Sequence, residues 1–159
     1  MSSEFDRQGL VGIFVTEALE AVNMLTKALH PSDGVAPTPA RLQEQYVWAH
    51  KIRGASALYG FEGLALMATL LESILEEAQS IEGSHWPKAL ETLRGMVNSF
   101  QSQLEVVATG SPEDSSISAG WNDEVSGSFP VLSIAVLPET ALLAPDYLIP
   151  ALDAEVLSY

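Results

Sequence analysis

Ala49-His50-Lys51-Ile52-Arg53-Gly54-Ala55-Ser56-Ala57-Leu58-Tyr59-Gly60-Phe61 is the stretch that decides how the rest of the chain is interpreted. A glycine inside a helix costs roughly 1 kcal/mol relative to alanine, so Gly54 requires a reason. Residues four apart are neighbours on a helix surface, which places Gly54 beside His50. Arg53 borders the same patch. We therefore expect an imidazole that another surface can approach closely, with a cation next to it.

Four amphipathic segments make up most of the chain. Apolar residues recur at three- and four-residue steps over about 6–29, 38–60, 61–80 and 84–108. Pro31 ends the first segment, Thr38-Pro39 is typical of a helix N-cap followed by the first helical position, and Gly60 is a C-terminal stop signal. The short connections predict an all-α fold, an up-down-up-down antiparallel four-helix bundle with a less regular C-terminal extension.

The chain changes character near residue 110. Residues 1–109 contain all seven Lys and Arg against 13 acidic residues, whereas residues 110–159 contain eight acidic residues and no basic one. We interpret 1–109 as the bundle and 110–128 as an acidic Ser/Gly linker that lacks the apolar content to pack. Residues 129–159 are apolar and contain four prolines, and we interpret them as the lead-in to a following domain.

Composition excludes several classes of partner. The net charge of −14 disfavours nucleic acid and anionic membranes, which require a cationic surface. The sequence contains no run of 18 apolar residues, which a membrane span would require, and its N-terminus lacks the pattern of a secretory signal. The absence of cysteine excludes disulfides and thiolate metal sites and fits a reducing compartment. A cytoplasmic location is the expectation.

The residues alone leave two interpretations of His50 open. At 100° per residue it lies about 130° from the centre of the apolar stripe, so its imidazole is exposed and largely neutral near pH 7. Arg53 offers N–H donors to an anion at that ring, which favours a histidine that exchanges an anionic group with a macromolecule. The alternative is an ordinary surface histidine. His30 and His85 are interpreted as helix-end residues, and the histidine spacing predicts no metal site.

Three stretches of the sequence together resemble the pattern of the histidine phosphotransfer (HPt) domain. They are Ala49-His50-Lys51-Ile52-Arg53-Gly54, Gly60-Phe61 and Leu70-Leu71-Glu72. The sequence is most similar to the N-terminal HPt domain of chemotaxis-type, CheA-like histidine kinases. The resemblance covers about residues 8–108. Two positions depart from that pattern, because Arg53 replaces the usual lysine and Thr69 stands where a second histidine is common.

The resemblance implies a role for each residue of the site. His50 is the phosphoacceptor, Glu72 orients its ring, and Gly54 gives steric access. Arg53 stabilises the phosphoryl group, with Lys51 as a second contact. Arginine keeps the charge of the family's lysine and binds phosphate in a forked geometry. Three residues are expected to form the docking surface for partners: Tyr46, Val47 and Ala57.

The resemblance also implies partners. A CheA-type kinase catalytic domain supplies the phosphoryl group from ATP, and a response-regulator receiver domain takes it onto an aspartate, so these partners bring the ATP and Mg²⁺. The chain itself is expected to bind no cofactor, to catalyse nothing alone, to be monomeric, and to belong to a larger chemotaxis-like or hybrid kinase. A four-helix scaffolding domain with a degenerate HPt site is the alternative.

Overall fold

The computed structural model describes residues 3–129, with side chains from residue 8 onward. Over this range the chain is helical and contains no strand, which confirms the all-α prediction. The α-helices are α1 (Ser3–Leu29), α2 (Pro39–Gln43), α3 (Tyr46–Leu58), α4 (Glu62–Glu76), α5 (Trp86–Ala108) and α6 (Ser115–Ser128). Two 3₁₀ turns, Ala78–Ser80 and Gly83–His85, connect α4 to α5.

A tight turn folds α4 back along α3. Gly60 adopts a positive φ of 84°, a conformation that favours glycine, and thereby ends the helix at the predicted place. Two hydrogen bonds close the turn, from Gly60 N to the Ala57 carbonyl (3.1 Å) and from Phe61 N to the Ser56 carbonyl (2.8 Å). The resulting antiparallel hairpin brings the middle of α3 beside the middle of α4.

The long helices α1 and α5 form the other antiparallel pair. The carbonyl of Leu29, at the end of α1, accepts hydrogen bonds from Arg94 Nε (3.1 Å) and Nη2 (2.7 Å) on α5. This guanidinium therefore satisfies a carbonyl that the helix end leaves open. The bundle core lies between the two pairs, where the Phe14 ring stacks on Phe61 with 4.9 Å between centroids.

Helix α1 includes the one segment among the described residues that is long and apolar enough to cross a membrane, Gln8–Leu29. One such helix is weak evidence for a membrane span. Its Phe14, Ala18 and Leu25 are buried in the bundle core, so we interpret α1 as an amphipathic core helix.

The predicted second helix is divided in two. Thr38 caps α2 as expected, since its hydroxyl accepts from Arg41 N at 3.2 Å. The chain then makes a turn at Glu44 and Gln45, where Gln45 N donates to the Leu42 carbonyl and Trp48 N donates to the Gln45 carbonyl. These hydrogen bonds join residues three apart instead of the four apart of a regular α-helix. The helix is therefore interrupted, and α3 begins at Tyr46.

The largest difference from the sequence prediction lies in residues 110–128, which were expected to form an unpacked linker. Instead α6 covers Ser115–Ser128 and packs against α4 and α5. Asp114 caps α6, because its carboxylate accepts from Ser116 N (3.0 Å) and Ser116 Oγ (2.6 Å), and these bonds lower the pKa of Asp114. The linker prediction is wrong for this helix.

Two glycines of the bundle make room for α6 and the residues that lead into it. A Cβ at Gly63 would lie 2.9 Å from Glu113 Oε1, and one at Gly95 would lie 2.8 Å from Trp121 Cη2. The Glu113 carboxylate accepts from Gly63 N (3.0 Å) and Leu64 N (2.9 Å), so it caps the N-terminus of α4. The Trp121 indole N–H donates to Ser99 Oγ at 3.0 Å.

The remaining contacts along α6 show why a segment with little apolar content packs. Val125 and Phe129 are buried, and Lys88 pairs with Glu124 at 3.2 Å. A few well-placed contacts, rather than a wide apolar face, therefore hold this helix. Helix α6 thus packs on the bundle across the predicted boundary at 109. The interpretation of 129–159 stays a prediction, because residues beyond Phe129 lie outside the described part of the chain.

Candidate functional site

His50 and Glu72 meet across the α3–α4 hairpin. They lie 22 residues apart in sequence, and the turn at Gly60 places them at the same level of the bundle. His50 Nδ1 and Glu72 Oε2 are 2.8 Å apart. The pairing of these two residues, which the resemblance implied, is therefore present in the structure.

The two partners differ sharply in exposure. The His50 side chain is 59% exposed, whereas that of Glu72 is 8% exposed. A carboxylate accepts hydrogen bonds, so we assign the proton of the neutral imidazole to Nδ1. This assignment leaves the lone pair on Nε2, the ring nitrogen turned away from Glu72. The buried carboxylate thus holds one edge of an exposed ring.

Arg53 lies on the same edge of the ring as Glu72. Its Nη1 is 3.1 Å from Glu72 Oε1, and its Nη2 approaches His50 Nδ1 to 3.4 Å. The guanidinium is largely buried, with 22% of the side chain exposed. The two carboxylate oxygens are therefore shared between the imidazole and the guanidinium, a pairing that satisfies a buried charge. From the sequence, Arg53 is expected to act on the phosphoryl group, and its ion pair with Glu72 is visible only in the structure.

Lys51 and Gly54 occupy the outer surface of α3. Lys51 Nζ lies 5.7 Å from the centre of the Trp48 ring, a cation–π distance. A Cβ built at Gly54 would meet nothing within 4 Å, and the backbone there has no positive φ. No packing within the described part of the chain therefore requires glycine at this position, which leaves access from outside as its reason.

Gly54→Ala is expected to raise the free energy of unfolding by about 0.5–1 kcal/mol, because alanine is the better helix former and the added methyl meets open space. We expect the same variant to slow phosphoryl exchange with a protein partner roughly ten- to a hundredfold, since a small misplacement of reacting atoms is costly. Urea unfolding and a transfer assay measure the two effects. If Gly54→Ala changed neither the free energy of unfolding nor the rate of phosphoryl transfer, this explanation of Gly54 would be wrong.

The predicted docking residues lie around the histidine, at the surface of α3. Tyr46 and Val47 are 38% and 47% exposed, and Ala57 is partly exposed. Leu58, which is not among the predicted docking residues, is 71% exposed. The spacing of residues on the helix could have identified Leu58 as part of this surface. Val47, Gly54 and Leu58 are separated from His50 or from each other by three or four residues, so they lie on the same face of α3 as His50. An exposed apolar stripe therefore flanks the imidazole, as expected of a surface that contacts other proteins.

Within residues 8–129 no group of three or more His, Cys, Asp or Glu side chains is arranged to hold a metal ion. His85 ends the 3₁₀ turn just before α5, and its Nδ1 lies 3.9 Å from Glu82 Oε1. The chemistry of the described site therefore rests on one exposed imidazole, one buried carboxylate and one guanidinium.

Comparison with known proteins agrees with this geometry. The chain matches the family described as Hpt domain over residues 9–103, which is more than half of its length. No curated protein and no solved structure gave a significant match. The matched range contains His50, Glu72, all of α3 and α4 and most of α1 and α5, whereas α6 lies beyond it. The chain therefore belongs to the Hpt domain family, whose members carry out histidine phosphotransfer in two-component signalling.

Proposed function

We propose that His50 is the phosphoacceptor of this domain and that Glu72 orients it. The observation that carries the proposal is the 2.8 Å contact between His50 Nδ1 and the buried Glu72 carboxylate. It fixes the ring and directs the lone pair of Nε2 outward, where a donor can approach. His50 and Glu72 also stand at the positions that the resemblance to HPt domains assigns to these roles.

The chemistry is an in-line displacement at phosphorus. The Nε2 lone pair attacks the γ-phosphorus of ATP held by a kinase domain, the bond to the bridging oxygen breaks, and ADP leaves. The ring gains positive charge as the N–P bond forms, and Glu72 stabilises it through Nδ1–H, as carboxylates behind imidazoles do elsewhere. In the second transfer an aspartate oxygen of a receiver domain attacks the phosphorus, the N–P bond breaks, and neutral His50 is regenerated.

The chain contributes positioning and leaves catalysis to its partners. A CheA-type kinase domain brings ATP and its Mg²⁺, and the receiver domain brings the Mg²⁺ of the second step. Arg53 supports Glu72 through their ion pair, and its positive charge, with that of Lys51 on the outer face of α3, is assigned to stabilising the phosphoryl group. The proposal places the domain as a cytoplasmic monomeric module, the N-terminal part of a larger chemotaxis-like or hybrid kinase.

Phosphorylation of the purified chain tests the assignment. We expect phosphoramidate, a small donor that needs no docking, and a CheA-type kinase domain with labelled ATP to phosphorylate the same residue. The product of the kinase reaction should carry a label that is labile in acid and stable in base, as expected for an N–P bond. His50→Gln should abolish phosphorylation by both donors.

His85→Gln is the matched control, because His85 is also a highly exposed histidine but has only a distant carboxylate beside it. This variant should be phosphorylated like the wild-type protein. Phosphorylation that persists in His50→Gln would falsify the assignment. A wild-type chain that neither donor phosphorylates would favour the scaffolding alternative.

A further inference from the structure

A cleft opens beside the histidine site, where α2 and the start of α3 face the end of α4. Its volume is about 540 Å³, enough for a long side chain. Its walls are formed by six residues: Ala40, Gln43, Glu44, Tyr46, Glu76 and Gln79. None of these residues is basic, and one is aromatic.

The polar groups of this cleft are mainly hydrogen-bond acceptors. The Gln43 amide is already occupied, since its Nε2 donates to the Glu76 carbonyl at 3.2 Å and its Oε1 accepts from Gln79. Among residues 8–129 the carboxylates of Glu44 and Glu76 make no ion pair or hydrogen bond. Burial raises the pKa of Glu76, and the negative charge of Glu72 one turn away raises it further. Arg53 and His50 act in the opposite direction on the pKa of Glu76, but neither lines the cleft, whose own walls carry negative charge and no basic side chain.

The position of the cleft ensures that a transfer partner covers it. Tyr46 lies about one helical turn before His50, and Glu76 lies about one turn after Glu72, so each is about 6 Å along its helix from this pair. Specific protein interfaces bury about 800 Å² on each partner, a patch that extends well beyond one helical turn. A domain that brings a phosphorus or an aspartate to His50 Nε2 must therefore also cover the cleft.

Covering the cleft takes its carboxylates out of water. An unpaired charge at an interface costs free energy unless the partner supplies the opposite charge. We propose that the cleft between Tyr46 and Glu76 receives an arginine or lysine side chain of the protein domain that exchanges phosphoryl groups with His50. The alkyl part of that side chain packs on the Tyr46 ring, and its cation binds Glu44 and Glu76.

This inference rests on the proposed function and adds a criterion for partner choice. A partner without a basic residue at the matching place leaves two carboxylates desolvated and unpaired. Such a penalty discriminates between receiver or kinase domains that present the same reactive group. The cleft thus selects partners, whereas the His50–Glu72 pair performs the same chemistry with each of them.

The double variant Glu44→Gln/Glu76→Gln tests the proposal at constant shape. Phosphoramidate loads His50 without docking, so loading should proceed at the wild-type rate. We then measure two reactions: kinase-catalysed phosphorylation, and transfer to a receiver domain that accepts the phosphoryl group from the wild-type protein. In at least one of these two reactions, the KM of the double variant should be about tenfold higher than that of the wild-type protein, with kcat little changed. The dependence of this KM on salt concentration should also be weaker than in the wild-type protein. Glu77→Gln removes a neighbouring charge outside the cleft and should transfer normally.

The outcomes separate the two proposals. If phosphoramidate fails to load His50 in the wild-type protein, the proposed function fails, and the role of the cleft fails with it. If loading and both transfers succeed, and the double variant matches wild type in KM and salt dependence for both, the cleft has no role in partner binding. If the double variant does show the higher KM, then replacing the partner's basic residue with glutamate should raise KM for the wild-type protein as well.

Discussion

Glu72→Gln is expected to slow phosphorylation of His50 at least about a hundredfold. Removing the charge of a carboxylate behind an imidazole costs up to about 10⁴ in rate where the imidazole must hold one tautomer. A glutamine can turn its NH₂ group toward Nδ1, which favours the tautomer with the proton on Nε2 and removes the nucleophilic lone pair. The charge that stabilises the phosphorylated ring is lost as well.

Phosphoramidate and kinase assays measure the rate, and ¹⁵N chemical shifts of the imidazole report the tautomer. Glu77→Gln provides the control, since it removes a carboxylate five residues along the chain at an exposed position. Circular dichroism at the assay temperature establishes that each variant is folded, because Glu72 is also the ion-pair partner of Arg53. A Glu72→Gln variant that is phosphorylated at the wild-type rate would exclude an orienting role for this residue.

Gly95→Ala is expected to destabilise the chain by about 1–2 kcal/mol. The substitution improves helix propensity by up to about 1 kcal/mol, but its Cβ would lie 2.8 Å from Trp121 Cη2 and 3.3 Å from Cζ2. Overpacking of this kind typically costs about 1–3 kcal/mol, so the clash outweighs the gain. Gly54→Ala makes the same chemical change in open space, and we expect it to have the opposite sign.

A double-mutant cycle isolates the cause. In a Trp121→Ala background the ring that Gly95 accommodates is absent, so Gly95→Ala should become stabilising by about 0.5–1 kcal/mol. Urea unfolding followed by far-UV circular dichroism gives all four free energies. A Gly95→Ala penalty of equal size in both backgrounds would show that Trp121 does not account for the glycine.

The resemblance to HPt domains pointed to His50 and Glu72 as a pair, and the structure places their side chains 2.8 Å apart across one hairpin. The positions of His50 and Glu72 follow from two helices and a glycine turn, each of which has a strong local signal. The side chain of Arg53 was harder to place. Its position three residues after His50 allows the guanidinium to reach either outward or toward Glu72, and only the packed structure shows that it pairs with Glu72.

Helix α6 is hard to predict because its composition and the spacing of its apolar residues point in different directions. Residues 110–128 are rich in Ser, Gly and acidic residues, which is typical of a linker. However, Ile117, Trp121, Val125 and Phe129 recur at four-residue steps, and Asp114 precedes them as an N-cap. This spacing predicts a helix. The packing of Trp121 against Gly95 could not be predicted from residues 110–128 alone, because Gly95 belongs to α5.

The hairpin of α3 and α4 has a consequence for the order in which parts of the molecule come apart. His50 and Glu72 are joined by a loop of 22 residues, so bringing them together requires little loop-closure entropy. Helix α6 is held by only a few contacts with α4 and α5, so it should detach before the hairpin opens. Hydrogen exchange should accordingly be fastest in α6 and slowest in the bundle core. Transient release of α6 would then leave the contact between His50 and Glu72 in place.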